Sequence, residues 1–438
     1  MIMKIAISGV SGFIGKHLAA YLAEQGHRII PLTRSLFRED AFTRLVNTLE
    51  ECDVLINLAG APIGRRWTRR YKQEIYRSRV EVTSRLVSAL KSAGRKPQTM
   101  ISASATGYYP PGAEYDEYHT VAADGFLASL CCDWEAATAE CPADTRLVIA
   151  RLGVVLSPEG GALRAMAAPV QHTKLSVVPG SGKQAFPWIA MQDVCRAFAF
   201  FIEHQETAGV YNLVSPQRIS LKQLASALAK TYRAWAVLPV PSVAFRGILG
   251  ERASAWLGGQ NVYPLRLLEA GFGFFVPTVE HLLGLPDVRT VTSLDIDRYA
   301  GLWYEIARYE NSFECGMTRV TATYTLRPDG RIRVENAGYK NGVKKHAVGR
   351  AYCPDTGEPG RLKVAFFLWF YSDYYVLELD KENYGYALVG SSSDKYLWIL
   401  SRTPVLPPRV LDALLASARK RGYDTRRMLF APGNLPMP

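Results

Sequence analysis

Residues 4–15 read Lys4-Ile-Ala-Ile-Ser8-Gly9-Val-Ser-Gly12-Phe-Ile-Gly15, a short apolar run followed at once by three glycines at intervals of three. The apolar run predicts a buried β-strand, and the residues after it predict a helix that buries Leu18 and Leu22. Glycines at such a strand-to-helix turn allow close approach of the backbone to a pyrophosphate and close packing of helix on strand. The helix N-terminus then faces the anion. This stretch predicts a dinucleotide site at the start of a parallel α/β sheet.

The alternation of strands and helices continues to about residue 285. The next apolar runs, separated by helical patterns, are Arg28–Thr33, Val54–Leu58, Thr99–Ala103 and Arg146–Ala150. A long helix is predicted from about Tyr71 to Ala93. Strands separated by helices are typical of βαβ units. We therefore predict an α/β Rossmann domain with a doubly wound parallel sheet over residues 1–288, including a small C-terminal subdomain at about residues 230–288.

After about Asp287 the sequence changes to strand-like runs without helices between them. Turn signals such as Pro328-Asp-Gly330 and Lys340-Asn-Gly342 separate these runs, which predicts an antiparallel all-β meander. The predicted strands are Arg319–Leu326, Arg331–Glu335, Leu362–Phe367, Tyr374–Leu379, Tyr386–Val389 and Leu397–Leu400. One helix at about Pro408–Arg421 closes the chain, so the second predicted domain spans residues 289–438.

The composition is that of an ordinary globular protein, with 48% hydrophobic and 21% charged residues. The net charge of +12 divides equally between the residues up to and including Asp287 and those after it. Because the chain has no basic arm, we predict no nucleic-acid partner. The seven cysteines form no C-x-x-C pair, so we predict no metal site. No signal peptide is recognised and no apolar run reaches the roughly 18 residues of a transmembrane segment. We therefore expect a cytoplasmic protein with reduced thiols.

The end of the second strand indicates which dinucleotide the first domain binds. An NAD site usually places Asp or Glu there, to bind the 2′-hydroxyl of the ribose. This chain has Thr33-Arg34-Ser35. A guanidinium beside a hydroxyl suits a 2′-phosphate, so NADP(H) is the predicted cofactor. The alternative is that Arg34 is a solvated loop residue without a ligand.

Several motifs, taken with the glycine loop, resemble the extended short-chain dehydrogenase/reductases and more closely their atypical epimerase-family branch. They are Asn57-Leu-Ala-Gly-Ala-Pro62, Ser102-Ala-Ser-Ala-Thr-Gly-Tyr-Tyr109, Asp133-Trp-Glu-Ala136, Arg151-Leu-Gly-Val-Val-Leu156, Pro179-Gly-Ser-Gly-Lys183 and Pro187-Trp-Ile189. The resemblance covers nearly all of the first 285 residues. It implies an NADP(H)-dependent oxidoreductase or epimerase that acts on a small-molecule substrate.

The resemblance also implies which residues contact the cofactor. They are Gly9, Ser11, Gly12, Phe13, Ile14, Gly15, Thr33, Arg34, Leu58, Ala59, Gly60, Glu74, Arg79 and Val154. Arg79 stands where the extended family has an Asn, and Glu74 lies about a turn and a half before it. The alternative for both residues is that they are surface charges without a ligand. The nearby basic residues are interpreted as a solvated face, with an anionic-substrate clamp as the alternative: Arg65, Arg66, Arg69, Arg70 and Lys72.

The catalytic pattern of this superfamily is incomplete in the chain. In related enzymes a Ser polarises the carbonyl, a Tyr transfers the proton, and a Lys four residues later lowers the Tyr pKa. Ser104 fits the Ser position, but Cys131 and Glu135 stand where Tyr and Lys are expected. An anionic Glu135 favours the neutral thiol, which leaves Cys131 as a weak acid and Tyr108 or Tyr109 as substitutes. The candidate catalytic residues are Ser104, Tyr108 and Cys131, with a structural role for Cys131 as the alternative.

The C-terminal domain resembles the lipocalins of bacterial outer membranes. Gly301-Leu-Trp303 resembles the lipocalin Gly-x-Trp signature, and Ser401-Arg402-Thr403-Pro404 resembles the motif whose Arg stacks on that Trp. The resemblance implies an eight-stranded barrel in which Gly301, Trp303 and Arg402 are structural. It implies an apolar, lipid-like ligand, a fatty acid or lysophospholipid, lined by the aromatic residues of Phe366–Tyr371 with Tyr374 and Tyr375.

Two functions remain open at this point. The first is an NADP(H)-dependent oxidoreductase or epimerase whose barrel holds or delivers an apolar substrate. The second is a non-catalytic protein that senses NADP(H) and binds lipid. The presence of Ser104 favours the first, and the missing Tyr/Lys pair favours the second.

Overall fold

The computed structural model describes residues 2–311, 314–366 and 371–434, without the side chains of Ile248, Leu249 and Ala255. The chain forms two compact units, Met1–Leu283 and Gly284–Pro438. The first unit alternates strands and helices, and the second is mainly antiparallel strands. Throughout the described residues, each helix is too short or too polar to span a bilayer.

A parallel sheet forms the centre of the first unit. The strands of this unit are β1 (Lys4–Ser8), β2 (Arg28–Leu32), β3 (Val54–Asn57), β4 (Thr99–Ala105), β5 (Glu114–Tyr115), β6 (Arg146–Leu152), β7 (Val154–Ser157), β8 (Leu175–Pro179), β9 (Trp188–Ala190), β10 (Gly209–Leu213), β11 (Ala236–Val240) and β12 (Asn261–Val262). Within the described residues six of them form one sheet in the order β10-β6-β4-β3-β1-β2, with every neighbouring pair parallel. The predicted doubly wound sheet is therefore confirmed.

Helices cover both faces of this sheet. They are α1 (Phe13–Glu24), α2 (Phe42–Glu50), α3 (Arg69–Tyr76), α4 (Val82–Ser92), α5 (Phe126–Ala139), α6 (Gly161–Thr173), α7 (Met191–Glu203), α8 (Leu221–Thr231), α9 (Ser242–Leu249), α10 (Ser254–Leu257), α11 (Leu265–Glu269) and α12 (Val279–Leu282). Ile5 and Ile7 of β1 pack with Leu18 of α1, whereas Ala6 between them packs with Leu45 of α2 and Leu86 of α4. Successive residues of a strand point to opposite faces, so the three central residues of β1 are apolar on both faces.

The predicted long helix from Tyr71 to Ala93 is not continuous. Helices α3 and α4 are joined by a π-helical segment at Arg77–Glu81. A π-helical turn inserts one residue into the helical repeat, and such turns occur often at functional sites. Hydrophobic periodicity does not reveal this insertion, because both halves keep their buried residues, Ile75 before it and Leu86 after it.

The second unit contains a closed antiparallel barrel. Its strands are β13 (Gly301–Tyr309), β14 (Met317–Leu326), β15 (Ile332–Lys340), β16 (Val343–Tyr352), β17 (Arg361–Ala365), β18 (Ser372–Leu379), β19 (Tyr386–Gly390), β20 (Leu397–Ser401) and β21 (Met428–Phe430). Among the described residues each strand from β13 to β20 pairs with the next, and β20 pairs back to β13. The predicted eight-stranded barrel is confirmed, with β21 as an additional strand beside β13.

The barrel has an apolar interior at one end and a helix against its outer wall. Side chains from all eight strands meet inside, including Trp303, Tyr324, Val334 and Val376. Helix α14 (Pro408–Lys420) packs Leu411, Leu414 and Leu415 against outward-facing residues of the strands. The short helix α13 (Ile296–Tyr299) precedes the first barrel strand.

Only part of the predicted aromatic lining faces the interior. Tyr374 does so, and its hydroxyl lies 2.7 Å from the hydroxyl of Tyr299 and 2.9 Å from that of Tyr324. Tyr375, the next residue, packs instead with the outer cluster under α14, and Phe366 is exposed. Residues 367–370, which the sequence also assigns to the lining, lie outside the described residues.

Arg402 fixes one end of the barrel. Its guanidinium carbon lies 4.0 Å from the centre of the Trp303 ring, which is fully buried. Arg402 Nη1 donates to the Leu302 carbonyl at 2.8 Å, and Nη2 donates to the Arg298 and Ala300 carbonyls at 2.8 Å each. The Arg298 and Ala300 carbonyls lie at the end of α13, where no helical partner is available to them, and the Leu302 carbonyl lies at the start of β13. One side chain therefore joins α13, β13 and the segment after β20.

We predict that Arg402→Met lowers the free energy of unfolding of the barrel by about 3 kcal/mol or more, because several charge-assisted hydrogen bonds and a cation–π contact are lost. Arg402→Lys should be nearly as unstable as Arg402→Met, because one ammonium group cannot reach all these carbonyls. Urea unfolding followed by tryptophan fluorescence measures both. Arg409→Met, on α14, is the control, and an equal loss in that variant would contradict the assignment.

Candidate functional site

The glycine loop between β1 and α1 is held in close contact with the chain after β3. Gly9 has a φ of +72°, and a Cβ atom there would lie 2.5 Å from the Leu58 carbonyl oxygen. A Cβ atom on Gly15 would lie 2.3 Å from the Gly9 carbonyl oxygen. Side chains are therefore excluded at both positions, as the dinucleotide interpretation of the sequence requires.

The N-terminus of α1 is available to an anion. Gly12 occupies the N-cap position, and no side chain caps the first turn. Ser11 and Gly12 are exposed, and Phe13 and Ile14 begin the helix half-buried. Free N–H groups and the helix dipole at such an end favour negative charge.

A loop after β7 packs over the first turn of α1, which sequence reasoning missed. A Cβ atom on Gly161 would lie 2.6 Å from the ring of Phe13, and Gly161 has a φ of +65°. Next to it, Glu159 accepts a hydrogen bond from His17 Nε2 at 2.8 Å. The Glu-Gly-Gly run at 159–161 is the sequence feature that could have predicted this close contact. Val154, a predicted cofactor contact, lies half-buried in β7 and pairs with Trp188.

The end of β2 presents its polar residues to solvent. Thr33 and Arg34 are exposed, and Arg34 begins a short 3-10 helix at Arg34–Phe37. The hydroxyls of Thr33 and Ser35 lie 2.8 Å apart. Among the described residues the Arg34 guanidinium is not part of any ion pair, so its charge is available to an anionic group.

A buried polar network supports the loop at Leu58, Ala59 and Gly60. Ser8 Oγ donates to Asn57 Oδ1 at 2.6 Å, and Asn57 Nδ2 donates to Thr83 Oγ1 at 2.8 Å and Ser102 Oγ at 3.2 Å. These four residues are fully buried. The Leu58 amide donates back to the Ser8 carbonyl at 3.2 Å. The network ties β1, β3, β4 and α4 together, so the loop has a fixed position beside the glycine turn.

The π-helical segment directs Arg79 at this loop. Its Nη1 donates to the Ala61 carbonyl at 3.0 Å, and a Cβ atom on Gly60 would lie 2.8 Å from the guanidinium carbon. The guanidinium also lies 5.4 Å from the Trp134 ring centre. Burial lowers the pKa of Arg79, and the nearby Cys131 opposes that shift. Glu74, in contrast, is exposed on α3. Direct contact of either residue with a cofactor stays a prediction.

Ser104 lies in a buried charged cluster. Its hydroxyl donates to Glu135 Oε1 at 2.6 Å. Arg151 binds the same carboxylate through two hydrogen bonds, Nε to Oε1 at 2.8 Å and Nη2 to Oε2 at 2.7 Å. Ser104 and Arg151 are 2% and 4% exposed. An ion pair therefore occupies the place of the Lys, and the Ser104 proton is directed at a carboxylate.

Sequence reasoning did not assign a role to Arg151. The available signal was an arginine inside the apolar strand Arg146–Leu152, because a buried charge requires a partner. Arg151 Nη1 also donates to the Tyr109 hydroxyl at 2.8 Å, and that hydroxyl lies 3.0 Å from Asn212 Oδ1. Burial raises the pKa of Tyr109, and Arg151 partly opposes this.

The remaining candidate residues, Tyr108 and Cys131, are also engaged or buried. The Tyr108 hydroxyl donates to the Thr120 carbonyl at 2.8 Å, and its ring stacks 3.6 Å from the Arg151 guanidinium. Cys131 is 3% exposed. Burial raises the pKa of its thiol to about 12, and Glu135 contributes in the same direction. The expected direction of the Glu135 effect is confirmed, with burial as the larger cause. The thiol is therefore neutral at physiological pH.

The barrel holds a second buried charged cluster. Along β13, beyond Trp303, Arg308 forms an ion pair with Glu305 and donates through Nη2 to the Met317 carbonyl at 3.0 Å. Glu314 Oε2 accepts from Trp398 Nε1 at 3.1 Å. Burial raises the pKa of Glu305 to about 7, with Glu314 adding to the shift and Arg308 opposing it. The barrel interior is therefore apolar near Trp303 and polar farther along β13.

The fold and these contacts define the class of each unit: a Rossmann-type dinucleotide-binding domain and a lipocalin-type barrel. Residues 5–213 match the NAD dependent epimerase/dehydratase family, residues 240–284 match a domain of unknown function, and residues 294–433 match a lipocalin-like domain. The chain belongs to the NAD dependent epimerase/dehydratase family and carries a C-terminal lipocalin-like domain.

The relatives match the first domain. The chain is 34% identical over 290 residues to the epimerase family protein SDR39U1 homolog, chloroplastic, of Arabidopsis thaliana, covering 62% of this chain and 83% of that protein. An epimerase family protein of Staphylococcus aureus is 34% identical over 285 residues, covering 61% and 93%. The crystal structure of human epimerase family protein SDR39U1 (isoform2) with NADPH is similar at 32% identity and a TM-score of 0.60, covering 64% and 98%.

Proposed function

We propose that the first domain binds NADP(H) and acts as an oxidoreductase on a small carbonyl compound. The observation that carries this proposal is the uncapped N-terminus of α1 beside a glycine turn that excludes side chains, with an exposed Arg34 at the end of β2. These residues suit a pyrophosphate and a 2′-phosphate. The relative crystallised with NADPH supports the same choice of cofactor.

The cluster around Ser104 would contribute the protein's part of the chemistry. A bound NADPH supplies a hydride. The Ser104 hydroxyl would turn from Glu135 Oε1 to donate its hydrogen bond to the substrate oxygen, and solvent would supply the proton that the reduced oxygen takes up. Arg151 would keep Glu135 at a fixed place beside the serine. Cys131 does not act as a base in this proposal, because a thiol with a pKa of about 12 carries almost no thiolate at neutral pH. Arg151 is a positioning residue, which acts through Glu135.

One observation favours a second function, a non-catalytic NADP(H) sensor. The hydroxyls of Ser104, Tyr108 and Tyr109 already donate to protein acceptors or lie within hydrogen-bond distance of them. A protein that only senses the cofactor needs no available proton donor beside it. The two functions differ in whether bound NADPH is oxidised, and they share the same cofactor site.

For the barrel we propose a single-chain lipid as the ligand, with its acyl chain in the apolar end of the interior. This rests on the lipocalin-like match and on the side chains that converge beside Trp303. Each buried methylene of an acyl chain contributes about 0.8 kcal/mol. The buried Glu305, Arg308 and Glu314 provide polar partners for a headgroup and no net positive charge.

The choice of cofactor is tested by Arg34→Ala. We expect the wild-type protein to bind NADPH more tightly than NADH, and the variant to lose about 1–3 kcal/mol of NADPH affinity with NADH affinity unchanged, because only the 2′-phosphate contact is removed. Isothermal titration with both cofactors measures this. Arg44→Ala, an exposed arginine of α2, is the matched control. Equal affinities in the wild type would exclude the NADP(H) preference.

The catalytic role is tested by Ser104→Ala in single-turnover oxidation of bound NADPH against a library of carbonyl compounds. We expect the variant to lose turnover and to keep its NADPH affinity, because the hydroxyl matters in the transition state and Arg151 still holds Glu135. Ser129→Ala, on the exposed face of α5, should keep full activity. Turnover in the Ser104→Ala protein would remove Ser104 from the mechanism, and no oxidation in the wild type would favour the sensor.

Lipid binding is tested with two neighbouring substitutions on β14. Ala322 packs with the interior cluster, whereas Thr323 points to the other face of the strand. Ala322→Phe should weaken binding of a fluorescent fatty acid more than tenfold, since excluding two methylenes costs about 1.6 kcal/mol, and Thr323→Phe should leave it unchanged. Tryptophan quenching reports both. A folded wild-type barrel without affinity for fatty acid or lysophospholipid would indicate an interior filled by side chains.

A further inference from the structure

The hairpin formed by β15 and β16 extends along the barrel to a turn at Asn341 and Gly342. Both turn residues have positive φ, +52° and +78°, as a tight antiparallel hairpin requires. Lys340 pairs with Val343, and Met317 at the start of β14 pairs with Lys340. We call residues 337–348 the basic hairpin.

The basic hairpin lies at the end of the barrel opposite the one that Arg402 fixes. Trp303 pairs with Ala322, and Ala322 pairs with Asn336. From Asn336 the strand runs four residues farther to Lys340, away from the turn at 327–331 that joins β14 to β15. The hairpin turn is therefore on the side of the barrel where the interior is polar.

The sequence of the hairpin contains basic residues and no acidic residue. Residues 336–350 include Lys340, Lys344, Lys345 and Arg350 but no Asp or Glu. The three lysines are exposed, and none of them forms an ion pair with the described residues. Glu335, just before the hairpin, is already paired with Arg333 at 3.1 Å.

Part of the remaining charge of the barrel domain is compensated by ion pairs. Ion pairs join Arg289 to Asp287, Arg361 to Glu358, Lys363 to Asp373, Arg421 to Glu378 and Arg426 to Asp424. Of the chain's net charge of +12, half lies after Asp287. Other exposed cations, such as Arg327 and Lys381 at the opposite end of the barrel, also form no ion pair with the described residues. The basic hairpin differs in that it groups three such lysines, Lys340, Lys344 and Lys345, around one turn.

Apolar side chains are exposed among these lysines. Tyr339, Val343 and Val348 are 39%, 56% and 45% exposed. Tyr339 pairs with Lys344 in the ladder, so an aromatic ring and an ammonium group stand side by side on one face. A solvated basic surface does not need exposed aliphatic and aromatic groups, whereas a surface that enters the headgroup region of a bilayer does.

We propose that the basic hairpin docks this end of the barrel on the surface of an anionic lipid bilayer. The lysines supply attraction to acidic headgroups, and Tyr339 and Val343 enter the interface. The exposed apolar groups favour a bilayer over a soluble polyanion, which offers them nothing to pack against. This docking surface requires neither NADP(H) nor an occupied barrel, and it goes beyond the proposed cofactor and lipid sites.

The test is co-sedimentation of the full-length protein with vesicles of phosphatidylcholine, alone or mixed with phosphatidylglycerol. We expect binding only to the mixed vesicles, unchanged by NADPH. Lys344→Glu with Lys345→Glu should weaken it more than tenfold, since each basic residue near the surface contributes about 1 kcal/mol. Tyr339→Ser with Val343→Ser, which alters no charge, should weaken it several-fold.

The matched control is Arg327→Glu with Lys381→Glu, which makes the same change in net charge at the opposite end of the barrel, on two exposed residues. This variant should bind the mixed vesicles nearly as well as wild type. Thermal unfolding of every variant verifies that the barrel is intact. An equal loss of vesicle binding in the control would show that net charge alone explains the effect, and it would overturn the proposal. So would absence of binding to the mixed vesicles, or hairpin-dependent binding to heparin without vesicle binding.

Discussion

The buried ion pair between Glu135 and Arg151 is the interaction on which the candidate site of the first domain depends. Removing two charges from water is costly unless each finds a partner with good geometry, and a bidentate guanidinium–carboxylate pair meets that condition. The pair joins α5 to β6 and also holds Ser104 on β4. The ion pair therefore also sets the position of Cys131, which lies on α5 with Glu135. It sets the position of Tyr109 as well, because the Tyr109 hydroxyl accepts from Arg151.

This constraint explains why the chain can lack the Tyr and Lys of its superfamily and keep the same architecture. A Lys beside a Tyr stabilises a phenolate, whereas here the charge four residues after Cys131 is negative and is neutralised from a neighbouring strand. The thiol therefore stays neutral, with burial as the main cause. This cluster therefore offers no thiolate or phenolate as a strong base, since burial raises the pKa of both Cys131 and Tyr109.

One end of the barrel likewise depends on a single arginine. Arg402 satisfies the carbonyls at the end of α13 and stacks on Trp303, so a single side chain closes one end. Farther along β13, Arg308 performs a similar task for the β13–β14 connection. Both arginines bind backbone carbonyls, whereas the exposed lysines of the hairpin between β15 and β16 form no ion pair with the described residues.

Much of this protein was determined by its sequence alone. The sheet, the barrel and the family could be predicted because their signals act through local geometry and through partners of fixed type. These signals are the glycines at 9, 12 and 15, the apolar runs separated by helical patterns, and the Trp303 and Arg402 motifs. Strand β16 was not predicted, because its residues Val343–Val348 are exposed on both faces and lack the alternation of a half-buried strand. The π-helical turn at Arg77–Glu81 was missed since it preserves the buried positions on either side.

The partners of Ser104 were decided only by the tertiary structure. Ser104, Glu135 and Arg151 lie on separate elements, and only the folded sheet brings their atoms within 3 Å, where burial makes pairing obligatory.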